Sequence, residues 1–396
     1  MSYATNNAAT GRHIMPDLVR SFAIIGIALV NVGLFAYPME LSYFDGGFQT
    51  VADSWAHFSV NSLFSMKSYS LFSFMFGVGF AYQIQSASRS EAGFGGRYSR
   101  RIIGLLVLGL AHIAFAFQGD ILLLYGLIGM LLFFFRNTKV KTLCWTAGVF
   151  IVLQVLLGLL LVGSIWAGLN YAPEEMAAAA DELAVTALQS REAFGSGNFI
   201  DSIHQRLGEY TAAAPIFIYQ GLGVLGYFLL GLAAVKSGII SDPTANIWKK
   251  FRGFALPIGV LGSVYGAWLM MTATEMMSVQ MMGGMAVLGL FAPVSTAGYL
   301  GMIALWAIGP ATKIKTFFAR GGTATLSAYL LQSVLLSLIF NNYGLGLFGQ
   351  LGAAYCIAIA LAVAVFTLAF MSIWRKKFKL GPVEYIFRSW TYLGKR

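Results

Sequence analysis

Residues 353–374 have the sequence AAYCIAIALAVAVFTLAFMSIW, a run without one charged side chain. The hydrocarbon core of a bilayer is about 30 Å thick, and a helix needs roughly 20 apolar residues to cross it. Shorter apolar runs cover Ile102–Phe117 and Ile121–Phe135. One soluble core cannot take up so many long apolar segments. The pattern therefore predicts an all-α, polytopic membrane protein.

The composition of the whole chain agrees with this prediction. Of its 396 residues, 58% are hydrophobic and only 11% are charged, with a mean hydropathy of +0.73. Soluble proteins carry about 25% charged residues, which argues against a soluble domain of this size. The net charge of +10 would suit nucleic acid, but it lies in loops between apolar runs, so we expect no nucleic-acid partner. Met1–Gly11 is polar and no cleavage site follows it, which predicts that the first apolar run is a retained signal anchor.

Ten membrane spans are predicted from the apolar runs. They cover Ile14–Tyr37, His57–Gln83, Ile102–Phe117, Ile121–Phe135, Leu143–Leu169, Ala213–Val235, Phe254–Ala273, Ala286–Ile308, Ala324–Phe340 and Leu347–Trp374. The third and fourth spans are short and are joined through Gln118–Asp120. We expect these two spans to form a helical hairpin.

The charges in the loops predict the orientation. With the amino terminus in the cytoplasm, 23 of the 26 Lys and Arg residues fall on the cytoplasmic side, whereas 12 of the 16 Asp and Glu residues fall outside. Basic residues concentrate in the cytoplasmic loops of membrane proteins. A miscounted helix would invert this bias downstream, and no inversion occurs. Both termini are therefore predicted to be cytoplasmic, with a basic tail over 375–396.

The chain is predicted to form a single membrane domain over 1–396. Its one sizeable non-membrane segment is 170–212, an insertion on the outer side between the fifth and sixth spans. A weak apolar stripe at Leu183, Val185 and Leu188 favours an amphipathic helix or a helical hairpin. A disordered loop is the alternative. No clear internal repeat is found, which weakens the case for a transporter built from inverted halves.

Two features that suggest chemistry have simpler explanations. Cys144 and Cys356 lie far apart in apolar segments, so we expect no disulfide and no metal site, and we interpret both as small buried residues. Gly221, Gly223 and Gly226 match G-x-G-x-x-G, but a dinucleotide fingerprint follows a strand and opens a helix. These glycines lie in the sixth predicted span, where small residues let helices pack closely.

Polar side chains inside the spans are the better guide to function, because each is costly in hydrocarbon and needs a partner or a cavity. In the first span, Asp17, Arg20 and Asn31 share one helical face. Asp17 and Arg20 have the i, i+3 spacing of an ion pair. A structural salt bridge at the membrane interface is the simpler explanation for that pair, as an interhelical hydrogen bond is for Asn31.

Four polar residues fall in the outer half of the predicted bundle, namely Asn31, Lys67, His112 and Asp120. Their shared depth predicts one outer-half cavity. Within it, His112 is the candidate general base or acyl carrier, and Asp120 is the candidate group that orients it. The simpler alternative is that these side chains form only packing hydrogen bonds.

A group of charged residues is predicted at the inner side. It comprises Arg20, Arg97, Arg100, Arg101, Arg320, Glu384 and Arg388. The positive-inside bias and contact with lipid headgroups explain such a cluster. The same arginines would also suit a donor molecule that carries phosphates.

Several motifs of the chain are similar to those of one bacterial family. They are Pro16–Asn31, Lys67 followed by Leu71–Phe80, Gly109–His112 followed by Gly119–Leu122 and Tyr125, Tyr329–Ser333, and Gly381–Arg388. By these motifs, taken in order along nearly the whole chain, the protein resembles the YeiB-like membrane proteins, a domain of unknown function. The resemblance implies the bacterial inner membrane. It also adds Tyr125 and Gln332 to the candidate substrate-binding residues.

The YeiB-like family is itself distantly similar to transmembrane acyltransferases of the heparan-glucosaminide acetyltransferase type. That similarity implies a membrane-embedded histidine that passes an acyl group from cytoplasmic acyl-CoA to an acceptor across the membrane. The catalytic histidine of those enzymes follows the first span, where His57 is nearer than His112 but lacks the surrounding motif. The YeiB-like pattern also has a Gly-Arg pair where this chain has Gly322–Thr323. Arg320 could replace that arginine only if the backbone shifts.

The expected function is therefore that of a membrane acyltransferase, with acyl-CoA as donor and an extracytoplasmic or lipid-linked acceptor. Asn31 and Lys67 would stabilise the developing negative charge, and the inner arginines would hold the phosphates. The alternative is a transporter or a binding protein for a small solute or lipid that uses the same polar residues. A non-catalytic assembly factor has no positive support in the sequence. Membrane lipid is the expected partner, and a homodimer is left open.

Overall fold

The computed structural model describes residues 13–44, 47–88 and 94–393. Every regular element within these ranges is helical, and they contain no β-strand. Among the described residues, eight helical stretches are long and apolar enough to cross a membrane, one of them being the continuous stretch Lys313–Phe340. The predicted fold class, a polytopic α-helical membrane protein, is thus confirmed. The polar segment Met1–Gly11 and the last three residues of the predicted tail lie outside the described ranges.

The helices are numbered here in chain order. They are α1 (Met15–Ala36), α2 (Val51–Leu63), α3 (Lys67–Ser88), α4 (Phe94–Phe115), α5 (Leu122–Leu132), α6 (Val140–Tyr171), α7 (Pro173–Arg191), α8 (Phe199–Ala212), α9 (Ala214–Lys236), α10 (Asn246–Met271), α11 (Val279–Ile308), α12 (Lys313–Gly321), α13 (Thr325–Phe340), α14 (Ala353–Lys377) and α15 (Pro382–Thr391). Each of the ten predicted spans overlaps at least one of these helices, with different bounds. The fourth predicted span corresponds to the shorter α5, which a 3-10 turn extends to Phe135.

The second predicted span is wrong in its continuity. The sequence predicted one helix over His57–Gln83, whereas the chain forms α2 and α3 with a break at Phe64–Met66. Met66 has a φ of 63°, in the left-handed region that residues with a side chain seldom adopt. Hydropathy gives no signal of this break because Leu63 and Phe64 continue the apolar pattern through it.

Helix α1 lies in the interior of the bundle and packs against α3, α11, α13 and α14. At the periphery, most of the apolar surface of α6 is exposed, as expected of a helix that faces lipid. Cys144 lies on this exposed surface, so its interpretation as a buried residue is wrong, whereas Cys356 is buried. The 170–212 segment forms the helical hairpin α7–α8, and α8 packs against α4.

Two glycines of the G-x-G-x-x-G motif, Gly223 and Gly226, lie where α9 packs against α6, and Gly221 faces Ile128 of α5. A Cβ atom on Gly223 would come within 2.0 Å of the Gln154 side chain, and one on Gly226 within 2.7 Å of the Ile151 side chain. The absence of a side chain at Gly226 lets α9 lie this close to α6. The interpretation of the motif as a helix-packing feature is therefore confirmed.

Candidate functional site

The tight turn between α4 and α5 positions His112 and Asp120. Nδ1 of His112 lies 2.7 Å from Oδ1 of Asp120, and both side chains are buried. Oδ2 of Asp120 accepts a hydrogen bond of 2.7 Å from the backbone N–H of Leu123, in the first turn of α5. The carboxylate is therefore held by the helix that it caps, and it fixes the orientation of the imidazole ring.

The second ring nitrogen of His112 has a different environment. Within the described part of the chain, its Nε2 is buried and has no hydrogen-bond partner. The rings of Tyr329 and Phe117 pack nearby, with centroids 5.1 and 6.1 Å from that of the imidazole. If Nδ1 donates its proton to Asp120, Nε2 carries a free lone pair, which is what a general base requires. Tyr329 belongs to the Tyr329–Ser333 motif, in which only Gln332 was predicted as a site residue.

Gln332 links three helices near the middle of the bundle. Its Nε2 donates to the backbone oxygen of Ile24 at 3.4 Å and to Oγ1 of Thr367 at 3.2 Å, which joins α13 to α1 and α14. Its Oε1 is buried and unpartnered among the residues the structure describes. Asn31 is half-buried on α1. In the described ranges, no hydrogen bond joins Asn31 to His112 or Asp120.

Lys67 is fully buried and is used at the break between α2 and α3. Its Nζ donates to the backbone oxygens of Asn61 and Ser62, at 3.2 and 3.0 Å. These carbonyls end α2 and lack the helical partners that further residues would supply. The ammonium group thus satisfies the end of a helix, and no hydrogen bond within the described ranges connects it to His112 or Asp120.

His57, the other candidate histidine, lies on α2. It is buried, packs 5.1 Å from the ring of Phe48, and has its Nε2 3.0 Å from Nδ2 of Asn61. The amide of Asn61 thus lies against this ring, whereas the carboxylate of Asp120 lies against that of His112. The geometry of a base with an orienting carboxylate therefore belongs to His112.

The α7–α8 hairpin covers the end of the bundle next to His112. Arg206 on α8 is buried and donates to the backbone oxygen of Ala114 at 3.3 Å, to Oγ of Ser337 at 3.2 Å and to the hydroxyl of Tyr343 at 2.5 Å. Burial, followed by the nearby carboxylate of Asp120, raises the pKa of Tyr210 to about 12. Both residues show that α8 lies close to the His112–Asp120 pair, which hydropathy could not predict.

The same hairpin contains a buried carboxyl group. Oε1 of Glu209 accepts hydrogen bonds from Oγ of Ser190 at 2.7 Å and from Nε2 of Gln205 at 3.0 Å. Burial, followed by the negative charge of Glu40, raises the pKa of Glu209 to about 7. The stability of this hairpin is therefore coupled to pH near neutrality.

A cavity of about 460 Å³ lies at the opposite end of the bundle, where α1 and α4 begin. We call this the basic end. The charged and polar lining residues include Arg20, Arg97, Arg101, Thr323, Glu384 and Arg388, and Phe72, Phe76, Leu105, Leu122 and Tyr125 form its deeper walls. Leu105 precedes His112 by seven residues on α4, which is about 10 Å of helix. The cavity therefore extends toward the His112–Asp120 pair without including it.

The arginines of this cavity are held by aromatic rings. The guanidinium of Arg101 lies 5.4 Å from the ring centre of Phe76, and its Nε is buried without a partner in the described structure. Arg97 and Arg388 lie 5.3 and 5.5 Å from the ring centre of Tyr392. Ring contacts hold a guanidinium in place without neutralising its charge. The cavity thus offers positive charge beside an apolar wall.

Arg20 is the fourth arginine of the cavity and has a carboxylate partner. Its Nη1 lies 3.0 Å from Oδ1 of Asp17, the ion pair that their spacing predicted. Tyr125, in the deeper wall of the cavity, shares a hydrogen bond of 2.7 Å with Ser73. These two contacts fix the position of the cavity walls on α1 and α5.

Two residues of the predicted inner cluster have structural roles. Glu384 accepts from the backbone N–H groups of Leu326 and Ser327, at 2.8 and 3.1 Å, so it caps the start of α13. Arg100 donates from Nε to the backbone oxygen of Thr391 at 3.1 Å and thereby fastens α15 to α4. A helix N-terminus favours a carboxylate, which explains why Glu384 lies among arginines.

The Gly322–Thr323 pair, where the YeiB-like pattern has Gly-Arg, lies beside the cavity. A Cβ atom on Gly322 would come within 1.9 Å of the backbone oxygen of Asp17, so the glycine is required for the approach to α1. Oγ1 of Thr323 accepts a hydrogen bond of 2.5 Å from Nε of Arg375. The guanidinium that reaches this threonine therefore comes from α14, whereas Arg320 was the arginine that the sequence suggested.

Comparison with known proteins agrees with the resemblance in the motifs. A family model described as "Protein of unknown function (DUF418)" matches residues 234–394. The chain is 30% identical to the uncharacterized protein YxaH of Bacillus subtilis, over 96% of this chain and 94% of YxaH. It is 27% identical to the uncharacterized protein YeiB of Escherichia coli, over 96% of each chain. The chain belongs to the YeiB-like family.

The YeiB-like relatives cover both parts of the candidate site. An uncharacterized 39.9 kDa protein from the amylase 3' region of Bacillus acidopullulyticus is 26% identical, over 95% of this chain and 92% of that protein. The DUF418 match contains Arg388 and Thr323, whereas the near full-length matches also contain the α4–α5 hairpin. No solved structure matches the chain.

Proposed function

We propose that this YeiB-like protein is a membrane acyltransferase that uses His112 as its general base. The observation that carries the proposal is the buried His112–Asp120 pair, whose Nε2 is unpartnered in the described structure. A histidine oriented by a carboxylate is a recurrent arrangement for proton transfer in acyl transfer. A polar ring held in hydrocarbon for packing alone would cost more than an apolar side chain at the same place.

The proposed reaction needs one proton acceptor and one acyl donor. Nε2 of His112 takes the proton from a hydroxyl or amine of the acceptor, whose oxygen or nitrogen attacks the carbonyl carbon of an acyl-CoA thioester. The carbon–sulfur bond breaks, and the leaving thiolate takes the proton from the imidazolium. Asp120 stabilises the imidazolium while it exists. His112 ends in its starting state.

The cavity at the basic end supports a donor of this kind. Arg97, Arg101 and Arg388 present guanidinium groups that suit phosphate oxygens. The wall formed by Phe76, Leu105 and their neighbours suits an apolar acyl arm. A donor with its phosphates at the arginines needs an extended arm of about 10 Å or more to bring its thioester to His112, and the pantetheine arm of coenzyme A is such a group.

Lys67 has no catalytic role in this proposal, because its ammonium group is used at the end of α2. Tyr329 takes its place as a polar side chain beside the reacting group, since its ring packs against that of His112. Asn31 remains a candidate contact for the acceptor, on the face of α1 that its spacing from Asp17 and Arg20 predicts.

The proposal also requires that the basic end lies in the cytoplasm of a bacterial inner membrane, as the loop charges predict. Single cysteines at Ser196 in the α7–α8 hairpin and at Thr244 in the α9–α10 loop test it, since both positions are exposed. In whole cells, a membrane-impermeant maleimide should label the cysteine at Ser196 and not the one at Thr244. Labelling of Ser196 only from the cytoplasmic side would refute the orientation.

Acyl transfer is tested with the purified full chain in proteoliposomes. Acetyl-CoA with a radiolabelled acetyl group is supplied on the side of the basic end, in liposomes made from bacterial lipid extract that contains lipid-linked sugars. Label should pass into the lipid or sugar fraction with the wild-type protein. Transfer that does not rise above that of empty liposomes, with protein shown to bind coenzyme A, would contradict the proposed acceptor. Absence of coenzyme A binding would contradict the donor.

A transporter or binding protein is the second candidate, and the break between α2 and α3 favours it. Interrupted membrane helices often form solute sites in transporters because their ends expose backbone dipoles. In this chain, Lys67 satisfies the carbonyls at the end of α2. Counterflow of labelled solutes in the same proteoliposomes, without loss of acetyl-CoA, would favour this candidate over the enzyme.

A further inference from the structure

Helix α15 has one face on the cavity and an opposite face that is exposed in the described structure. Glu384, Phe387, Arg388 and Thr391 line the cavity. On the opposite face, the side chains of Tyr385 and Ile386 are 65% and 67% exposed, and Leu393 just beyond the helix is 52% exposed. Large apolar side chains grouped on one exposed face mark a surface that contacts lipid or protein.

The surface of the neighbouring helix α14 indicates what covers this face. Phe366, Phe370 and Ile373 are exposed along α14, on the part that crosses the membrane. The ring centroids of Phe370 and Trp374 are 6.2 Å apart, and those of Trp374 and Phe378 are 4.3 Å apart. The lipid-facing surface of α14 therefore continues without interruption to Phe378, which lies in the link to α15.

The charges of the link between the helices add a second argument. Lys376, Lys377 and Lys379 are exposed between the membrane-spanning part of α14 and the start of α15. Basic side chains beside an amphipathic helix attract the anionic headgroups of a bilayer. An apolar face flanked by lysines is typical of a helix that lies in the interface of a membrane.

We propose that the outer face of α15 inserts into the headgroup region of an anionic membrane leaflet, and that this contact holds α15 as a wall of the cavity. The side of α15 that faces the bundle is held by hydrogen bonds to other helices. Trp390 donates from Nε1 to the backbone oxygen of Arg100 at 2.7 Å, and Glu384 caps α13. One short helix thus connects the bilayer surface to Arg388 in the cavity. The docking surface stands independently of any acyl transfer.

Spin labels on the full chain in nanodiscs test the position of α15. A nitroxide is attached to a cysteine that replaces Ile386, in a chain with Cys144→Ser and Cys356→Ala, and a label at the exposed Thr244 of the same end is the control. In nanodiscs with anionic phosphatidylglycerol, the label at Ile386 should collide more with oxygen than with a water-soluble nickel complex. The label at Thr244 should show the reverse.

Three outcomes would overturn the proposal. The label at Ile386 collides with the nickel complex as often as the one at Thr244, or it is shielded from both reagents, as a protein partner or a second copy would shield it. In the third outcome, the preference of the label at Ile386 for oxygen is as strong in neutral phosphatidylcholine as in phosphatidylglycerol. It is also unchanged in the variant with Lys376, Lys377 and Lys379 all changed to glutamine. A label at Tyr385 repeats the measurement, should the Ile386 variant fail to fold.

Discussion

The two ends of the bundle treat their polar groups differently. Next to the α7–α8 hairpin, the buried Arg206 is used by the protein, since it bonds to Ala114, Ser337 and Tyr343, and the buried Lys67 is likewise used at the end of α2. At the basic end, Nε of Arg101 lies beside a cavity and has no partner among the described residues.

The difference separates structural charges from charges available to a ligand. A buried charge that satisfies backbone or hydroxyl groups stabilises the fold, and its removal leaves those partners without a bond. When aromatic rings position a guanidinium beside a cavity, its N–H groups can donate hydrogen bonds to a ligand that binds in the cavity. His112 combines both situations, because Nδ1 is bonded to Asp120 and Nε2 has no partner in the described ranges.

The largest effect is expected at His112. His112→Ala should lower the rate of acyl transfer by about 10²-fold to 10⁴-fold, which is the usual contribution of a general base. The protein should still insert and bind coenzyme A, because the arginine cavity does not include the histidine. The measurement is transfer of labelled acetyl in proteoliposomes at equal amounts of inserted protein.

Two further variants make that result specific. Asp120→Asn has one acceptor oxygen where the carboxylate has two, so it cannot accept from the Leu123 N–H and from Nδ1–H together, and it cannot stabilise an imidazolium. Because His112 itself is retained, we expect a loss of rate smaller than that of His112→Ala. Leu108→Ala, one turn earlier on α4, removes a half-buried apolar side chain and should keep most activity. Full activity of His112→Ala would show that His112 is not the general base. The polar groups at the end of the bundle next to His112 would then have structural roles only.

The next effect concerns the cavity at the basic end. Arg101→Gln should weaken the binding of coenzyme A by about tenfold or more, since a charged hydrogen bond contributes roughly 1.5–3 kcal/mol. Arg136→Gln changes an arginine at the same end that does not line the cavity. The affinity of Arg136→Gln for coenzyme A should equal that of the wild type. Isothermal titration in nanodiscs measures both, and equal losses in the two variants would mean that only the net charge of this end matters.

A smaller effect is expected at Lys67, and it should be on stability alone. Lys67→Met leaves the backbone oxygens of Asn61 and Ser62 without their donor, which costs about 1–3 kcal/mol. Thermal unfolding in detergent should show the loss, while Lys141→Met, at an exposed position, should not. If Lys67→Met slows acyl transfer without changing stability, the ammonium group acts on a substrate and the contrast between the two ends is wrong.

Local patterns predicted the parts of this molecule that depend on neighbours in sequence. The apolar runs located the helices, and the i, i+3 spacing of Asp17 and Arg20 predicted their ion pair. The contact of His112 with Asp120 followed from a tight turn that separates them by only eight residues. In each case the chain between the two groups leaves few alternative geometries.

Contacts between distant segments could not be predicted in this way. Arg375 reaches Thr323 across 52 positions, and Arg206 reaches Ala114 across 92. Lys67 is close in sequence to its partners, but its role depends on a helix break that hydropathy does not register. A charge in a span is costly, and the sequence shows the cost without showing which group compensates it.

The smallest effect is expected in the α7–α8 hairpin and depends on pH. The pKa of Glu209 rises from 4.5 in the unfolded chain to about 7 in the folded hairpin, because of burial and then of the charge of Glu40. Between these values the folded state binds more protons than the unfolded state, so the stability of the hairpin falls as the pH rises from 4.5 to 7 and is constant above. Hydrogen exchange of α7 and α8, corrected for intrinsic rates and referenced to α13, should show this slope. Glu209→Gln keeps the hydrogen bonds to Ser190 and Gln205 but cannot ionise, so its slope should vanish. The effect is confined to one hairpin and should change global stability less than Lys67→Met does. An unchanged slope in Glu209→Gln would assign the pH dependence to another group and leave the covered end of the bundle insensitive to this carboxyl.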